Sequence, residues 1–158
     1  MVDEPAKPSQ PGPTEAPPES ATRCGFVALI GAPNVGKSTL VNALVGTKVS
    51  IVTPKVQTTR ALIRGIALVD RAQLVLVDTP GIFAPRRRLD RAMVTTAWSG
   101  AHDADVVCLL IDAKRGLDEE TEAVLDGVAA LAKPKALVLN KVDAVGKPSL
   151  LVLAQRAN

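Results

Sequence analysis

Residues 31–38 read Gly31-Ala32-Pro33-Asn34-Val35-Gly36-Lys37-Ser38. This octapeptide matches the template GxxxxGK(S/T) at every fixed position, and it follows an apolar run of strand length at residues 26–30. Glycines allow such a loop to turn its N–H groups toward phosphate oxygens, while the lysine supplies positive charge and the serine hydroxyl can bind Mg²⁺. The stretch therefore predicts a phosphate-binding loop between a strand and a helix. The alternative, a glycine-rich turn without a ligand, does not explain this strand and helix context.

Around this loop, apolar runs of strand length alternate with segments of helical spacing, which predicts an α/β fold. The runs are almost wholly apolar, as expected for a mostly parallel sheet that is covered on both faces. Residues 61–69 and 73–78 are joined by only three residues, too few for a crossover helix, so these two strands are predicted to pair antiparallel at an edge. The other strands are predicted at 26–30, 106–111 and 136–139, and helices at 40–45, 89–97 and 124–131.

The composition favours one globular domain, because the chain has 158 residues and 47% of them are apolar. Residues 1–22 are rich in Pro, Glu and Ser and are predicted to form a disordered extension before a domain at 23–158. No apolar run is long enough to cross a bilayer, so a cytoplasmic protein is expected. Cys24 and Cys108 lack metal-site spacing and are predicted to be reduced core residues. The net charge of +3 permits an RNA partner but does not require one.

A second motif is Asp78-Thr79-Pro80-Gly81, which follows the run at residues 74–77. Its aspartate would lie at the carboxyl end of a strand, where a carboxylate that faces a metal is expected in an open α/β sheet. A capping aspartate before a Pro-Gly turn is the alternative. By itself the tetrapeptide does not separate the two.

A third motif, Asn140-Lys141-Val142-Asp143, follows the run at residues 136–139. A carboxylate at Asp143 can accept hydrogen bonds from both N1–H and the exocyclic amine of guanine, whereas adenine offers no such pair of donors on that edge. The alternative is an Asx-type turn without a ligand. Three motifs in this order favour a guanine-nucleotide site.

The order GAPNVGKS, DTPG and NKVD resembles that of the translation-factor-related GTPases. Residues 49–60, VSIVTPKVQTTR, and residues 81–93, GIFAPRRRLDRAM, are similar to the Era family of ribosome-assembly GTPases. Relatives in tRNA modification and the tandem-domain GTPases usually carry Gly before Thr-Thr-Arg, where this chain has Gln57. The resemblance spans about residues 23–158 and implies a Ras-like P-loop GTPase fold.

The resemblance also implies roles for individual residues. Residues 47–60 correspond to the first switch, in which Thr59 or Thr58 reaches Mg²⁺, and residues 78–91 to the second. Asn34 matches the position linked to a potassium ion, which adds K⁺ to the expected cofactors GTP, GDP and Mg²⁺. The predicted catalytic residues are Lys37, Thr59, Gly81 and Asn34, and the predicted metal ligands are Ser38, Thr59 and Asp78. The predicted nucleotide contacts are Gly31, Ala32, Pro33, Asn34, Val35, Gly36, Lys37, Ser38, Thr39, Asp78, Thr79, Pro80, Gly81, Ile82, Asn140, Lys141, Val142 and Asp143.

The function implied is that of a GTP-binding and GTP-hydrolysing switch. In the intact protein it would assist small-ribosomal-subunit assembly through 16S rRNA, mainly by way of a KH domain, with peripheral association with the inner membrane as a further candidate. Era proteins continue into a Ser-Ala motif, a last strand and helix, and the KH domain. None of these is found after Asp143, so a partial GTPase domain is expected, with one more helix around residues 150–153.

Two alternatives to this function remain. Ile82 stands where small signalling GTPases place a water-orienting glutamine, which implies slow turnover and leaves open a nucleotide-dependent binding module with negligible hydrolysis. Another GTPase of the same superfamily, of the tRNA-modification, tandem-domain or iron-transport type, is the second alternative.

The arginines at 86–88 and 91 could touch RNA or form a solvated helix face, and the latter is preferred. His102 is predicted to lie in a loop without a catalytic role, and Trp98 to be a packing residue.

Overall fold

The computed structural model describes residues 22–53 and 59–157. Within them, five strands form one sheet in the order β2-β3-β1-β4-β5. The central strand β1 pairs parallel with β3 and β4, β4 pairs parallel with β5, and β2 pairs antiparallel with β3. The predicted α/β fold with one antiparallel edge strand is confirmed. The strands are β1 (Arg23–Ile30), β2 (Ile63–Val69), β3 (Ala72–Asp78), β4 (Val106–Asp112) and β5 (Lys135–Asn140).

Four helices connect or follow these strands: α1 (Lys37–Val45), α2 (Arg88–Asp103), α3 (Glu119–Ala129) and α4 (Lys147–Arg156). A 3₁₀ turn at Val142–Ala144 lies between β5 and α4. The helix expected near residues 150–153 is therefore present. The predicted extension at 1–22 lies almost entirely outside the described residues, as do residues 54–58 of the first switch. In the part of the chain that the structure describes, no helix combines the length and apolar content needed to cross a membrane.

The sheet is covered on both faces around β4, which explains why that strand reads as a continuous apolar run. Along β4, Val107, Leu109 and Ile111 pack with α2, α3 and α4 on one side, while Leu110 packs on the side of α1. Successive residues of a strand point to opposite faces, so two covering layers require apolar residues at consecutive positions. Because β1, β3, β4 and β5 run parallel, their carboxyl ends lie at one edge of the sheet, where the polar motifs begin.

Several predictions of burial and local structure were wrong. Cys24 is exposed, because β1 pairs with β4 only from Val27 onward and its first residues project past that neighbour. Cys108, in contrast, is half-buried and packs against the core, in agreement with its prediction, and burial raises the pKa of its thiol. His102 belongs to the last turn of α2 rather than to a loop, because buried Gly100 and Ala101 keep that turn packed against the sheet.

The predicted apolar stripes of the helices are correct only in part. Leu44 of α1 and Leu89 of α2 are exposed although the helical spacing predicts that they face the core. Leu131 lies beyond the end of α3 but still packs against the core. The four arginines at 86–88 and 91 are exposed around the start of α2, as the solvated-face prediction expects.

Trp98 is a packing residue, as predicted. Its ring lies on the core between α2 and α3, directly beside Gly127. A Cβ atom at Gly127 would stand 2.5 Å from the ring carbon Cη2, well inside van der Waals contact. The small residue in α3 is therefore required by the large one in α2.

We expect Gly127→Ala to lower the free energy of unfolding by about 1–3 kcal/mol, because the added methyl group overpacks the contact with Trp98. At an unhindered helix position the same change would stabilise the chain by up to about 1 kcal/mol. In a Trp98→Leu background the clash is absent, so the substitution should become neutral or stabilising. Urea unfolding followed by circular dichroism measures both effects. Equal destabilisation in the two backgrounds would contradict this packing argument.

Candidate nucleotide-binding site

A cavity of about 560 Å³ opens at the carboxyl ends of the parallel strands. Its volume is in the range typical of small-molecule sites. The phosphate loop and the start of α1 form its floor, and the first-switch residues on either side of the undescribed segment 54–58 form one wall. The lining residues are Pro33, Asn34, Gly36, Lys37, Ser38, Thr39, Ile51, Val52, Thr53, Thr59, Thr79, Gly81 and Lys141.

Gly36 closes the phosphate loop and caps α1 with a left-handed backbone, at φ 101°. A side chain at this position would be strained, and its Cβ atom would also stand 2.2 Å from Nδ2 of Asn140. The Asn140 amide donates a 2.7 Å hydrogen bond to the carbonyl of Val35. The last glycine of the template is therefore required both by the turn and by the third motif, which approaches it from across the sheet.

Lys37 lies under the phosphate loop and is 6% exposed. Its ammonium group donates hydrogen bonds to the carbonyls of Gly31 at 3.0 Å and Ala32 at 2.9 Å. Burial lowers the pKa of Lys37 from 10.5 to about 8, and the negative charge of Asp78 offsets part of this effect. A buried cation with only carbonyl dipoles and one carboxylate nearby favours an anion as its ligand.

Asp78 collects three hydroxyl groups on one carboxylate oxygen. Its Oδ2 accepts hydrogen bonds from Ser50 at 2.5 Å, Ser38 at 2.6 Å and Thr59 at 3.3 Å. The side chain is completely buried, yet within residues 22–53 and 59–157 its other oxygen, Oδ1, has no hydrogen-bond partner. A buried anionic oxygen without a partner is unfavourable, and such an atom commonly indicates a missing water or ion.

These residues fit Mg²⁺, which prefers a few hard oxygen ligands and retains several waters. Ser38 and Thr59, whose hydroxyl oxygens are 3.3 Å apart, both contact Oδ2 of Asp78, the carboxylate whose other oxygen has no partner among the described residues. The resemblance left Thr58 and Thr59 as candidates for this role. Thr59 lies in the cluster, whereas Thr58 falls outside the described residues. Elsewhere in residues 22–53 and 59–157, no group of three His, Cys, Asp or Glu side chains could hold a metal.

The second motif packs tightly under the phosphate loop. Thr79 is buried and donates to the carbonyl of Leu29 at 2.6 Å, and Ile82 donates its N–H to the carbonyl of Gly31 at 3.1 Å. A Cβ atom at Gly81 would stand 2.8 Å from Cα of Pro33, so only glycine permits this approach. Thr79 and Gly81 line the cavity, whereas the side chains of Pro80 and Ile82 are buried outside its lining.

The third motif forms hydrogen bonds to the phosphate loop. Lys141 has a left-handed backbone and donates to the carbonyl of Asn34 at 2.8 Å. Among the described residues, Lys141 is the residue of this motif that lines the cavity. Val142 and Asp143 are exposed in the 3₁₀ turn and lie outside that lining. The structure therefore brings Asn140 and Lys141 to the phosphate loop, and it leaves Asp143 at the surface beyond it.

The sequence interpretation missed three residues of this site: Asn42, Ser50 and Asp112. Asp112 ends β4 and forms a 2.6 Å ion pair with Lys141. Burial alone would raise the pKa of Asp112, but the hydrogen bond and charge of Lys141 and the N–H groups of Arg115 and Lys114 lower it below its ordinary value. Its position at the carboxyl end of a strand is the same signal that identified Asp78. Asn42 belongs to none of the three motifs, and Ser50 lies in the predicted first switch but carries no signal that separates it from its neighbours there.

Comparison with known proteins agrees with this geometry. Residues 26–141 match the family described as 50S ribosome-binding GTPases. The chain belongs to this family. Among curated members, GTPase Era from Afipia carboxidovorans is 70% identical over 148 residues, which are 92% of this chain and 48% of the relative. The predicted resemblance to Era GTPases is confirmed. The chain spans about half the length of the curated relatives that it matches.

Two solved structures of Era superpose closely on the described chain. Era in complex with MgGDPNP and nucleotides 1506–1542 of 16S ribosomal RNA has a TM-score of 0.81 and 40% identity, covering 86% of this chain and 47% of that one. A variant of Aquifex aeolicus Era bound to GDP·AlF4⁻ has a TM-score of 0.80 and 40% identity, covering 85% and 46% respectively. The chain thus shares its fold with nucleotide-bound relatives.

The lowered pKa of Lys37 predicts that nucleotide affinity falls as pH rises. Below about pH 8 the buried ammonium is charged and destabilises the ligand-free fold, and this destabilisation is relieved as pH rises from about 8 to 10.5. Phosphate requires the charged form, so affinity for GDP should fall about threefold between pH 7.5 and 8.5. Calorimetric titration in two buffers of different ionisation enthalpy should show net proton uptake at pH 8.5.

Lys37→Arg supplies the control, because a guanidinium group keeps its proton throughout this range. Proton uptake should be absent in that variant even if its affinity is lower. Uptake that is equal in the two proteins would assign the titration to another group.

Proposed function

We propose that the chain is the GTP-binding and GTP-hydrolysing domain of an Era-type GTPase. The observation that carries the proposal is that one cavity has both a buried Lys37 and the hydroxyl and carboxylate cluster around Asp78 at its floor. A buried cation beside hard oxygen ligands suits a phosphate chain with its magnesium ion. The confirmed similarity to Era proteins supports guanine as the base.

The proposed reaction is attack of water on the γ-phosphorus of GTP, in which the bond from that phosphorus to the β,γ-bridging oxygen breaks. GDP leaves with the bonding electrons, and the proton of the water passes to phosphate. Backbone N–H groups of residues 34–38 and the Lys37 ammonium bind the β- and γ-phosphates and neutralise the charge that develops there. When bound, Mg²⁺ supplies further positive charge to these oxygens, and Ser38, Thr59 and, through water, Asp78 are the residues that would hold it.

The site has no polar side chain at residue 82 to position the attacking water. Ile82 is 6% exposed and its side chain packs in the core, so it offers no polar group to the water. Backbone groups of Thr59 and Gly81, or a cation beside the phosphates, would have to orient the water instead. Slow intrinsic turnover follows. The same observation favours the second candidate function, a nucleotide-dependent binding module with negligible hydrolysis.

For the intact protein we propose a role in assembly of the small ribosomal subunit. Support comes from the related Era structure, which holds nucleotides 1506–1542 of 16S ribosomal RNA. The RNA would be bound mainly by a KH domain that the family resemblance places after the GTPase domain. A cytoplasmic location, with peripheral association with the inner membrane, completes this proposal.

A potassium ion is proposed to assist hydrolysis. Asn34 lines the cavity with an exposed side chain, and its amide oxygen is a neutral ligand of the kind that a large monovalent cation accepts. The ion would supply the positive charge that an arginine finger supplies in other GTPases.

We therefore expect faster release of phosphate from saturating GTP in KCl than in NaCl at matched ionic strength, and no salt preference in Asn34→Ala. A phosphate-binding fluorescent reporter measures the rates. Equal rates in the two salts would remove the potassium proposal. No turnover in either salt, with nucleotide still bound, would favour the binding module.

The base preference is tested by Asp143→Asn. Replacing one carboxylate oxygen by NH₂ sets a donor against the exocyclic amine of guanine, so GTP binding should weaken by about 2–4 kcal/mol. Xanthine carries a carbonyl in place of that amine and restores both hydrogen bonds. The variant should therefore prefer XTP to GTP, whereas the wild type prefers GTP to both XTP and ATP.

Competition binding with GTP, ATP and XTP on both proteins is the measurement. Glu119→Gln is a matched control, because it neutralises an exposed carboxylate at the start of α3 and should leave the preference for GTP unchanged. If the wild type binds ATP as well as GTP, or if the Asp143→Asn variant shows no shift toward XTP, then residues 140–143 form a structural turn that does not recognise the base.

A further inference from the structure

One side chain, that of Asn42 in α1, holds the backbone that enters the first switch. Its Oδ1 accepts the N–H groups of Val49 at 2.9 Å and Ser50 at 2.8 Å, and its Nδ2 donates to the carbonyl of Ser50 at 2.8 Å. Both polar atoms of the amide are thus used on two consecutive residues. Because Asn42 belongs to a helix, this part of the loop is attached to a rigid element.

Ser50 carries the connection into the site. It is 1% exposed, and its hydroxyl donates to Oδ2 of Asp78 at 2.5 Å. The next residues along the chain, Ile51 and Val52, line the cavity, but Ser50 does not. Its polar contact within the site is therefore with the carboxylate rather than with the space that a nucleotide would fill.

The hydroxyl of Ser50 helps to determine which way the Asp78 carboxylate faces. In the part of the chain that the structure describes, three hydroxyl groups contact Oδ2 of Asp78, while Oδ1 has no contact of this kind. Ser38 and Thr59 also line the cavity and are the proposed metal ligands, whereas the Ser50 hydroxyl lies outside the lining and donates to the carboxylate. Without Ser50, the carboxylate could turn and share both oxygens between the two remaining hydroxyl groups.

We propose that Asn42 and Ser50 are positioning residues of the magnesium site: Asn42 fixes Ser50, and Ser50 holds Asp78 so that Oδ1 stays available. This inference rests on the proposed function, since it concerns the same nucleotide site. It also gives the first switch a direct link to the metal-facing carboxylate, because residues 49–50 and Asp78 belong to one hydrogen-bonded chain. Groups that orient ligating carboxylates affect metal affinity without touching the metal.

The test compares the affinity for fluorescent mant-GDP in excess Mg²⁺ with that in EDTA. The ratio of the two dissociation constants reports the contribution of the metal alone. In Ser50→Ala and in Asn42→Ala we expect the gain from Mg²⁺ to fall roughly tenfold. The affinity in EDTA should stay within about twofold of the wild type, because neither side chain lines the cavity. The double variant should lose no more than the worse single variant, since the two residues act in series.

Two variants separate positioning from general damage. Ser50→Thr retains the hydroxyl at a buried position, so it should retain the gain from Mg²⁺ even if it lowers Tm. Ser99→Ala removes an exposed serine hydroxyl from α2 and should change neither constant. Equal weakening in Mg²⁺ and EDTA would show a merely structural role, and an unchanged ratio in Ser50→Ala would likewise overturn the proposal.

A second readout needs no nucleotide. Amide hydrogen exchange at residues 49 and 50 should accelerate at least tenfold in Asn42→Ala, because both N–H groups lose their acceptor, and should change less in Ser50→Ala. Unchanged amide exchange in Asn42→Ala would contradict the claim that Asn42 fixes Ser50. A wild type that fails to bind GDP would contradict the proposed function, whereas normal binding without the Ser50 effect would contradict this inference alone.

Discussion

The buried carboxylate of Asp78 is the constraint on which the rest of the site depends. It ends β3 in the middle of the sheet, and it joins the start of α1, the entry to the first switch and Thr59 through hydroxyl groups that meet on one oxygen. Removing a carboxylate from water is costly unless it is compensated, so these segments are held together by the need to satisfy it. The compensation is incomplete at Oδ1, which is the property expected of an atom reserved for a ligand shell.

Lys37 presents the complementary problem, because it is a buried cation whose neighbours in the ligand-free chain are carbonyl groups. The two opposite charges interact, but among the described residues they do not form an ion pair. The fold thus retains unfavourable burial of both charges, as is common where preorganised groups await a charged ligand.

The third motif, which is proposed to recognise the base, also supports the phosphate loop. Asn140 and Lys141 each hydrogen-bond the phosphate loop, and Lys141 is in turn paired with Asp112 at the end of the neighbouring strand β4. The loop that binds phosphate and the turn proposed to read the base are therefore one connected unit. A substitution in either would disturb the other, so loss of nucleotide affinity by itself cannot assign a residue to the base pocket. A change in the preferred base is the informative observation.

The sequence by itself determined the order of strands and helices along the chain and the antiparallel hairpin. It predicted the phosphate loop and the motif proposed to read guanine, because each of these features depends on local spacing, turn residues or an apolar run. It also predicted Asp78 and Ser38, which lie next to recognisable strand and helix ends. Only the tertiary structure placed Asn42, Ser50 and Asp112 in the site, distinguished exposed Cys24 and Leu89 from core residues, and showed that Gly127 is required by Trp98. These features depend on contacts between segments distant in the chain, and no local pattern encodes which side chains meet there.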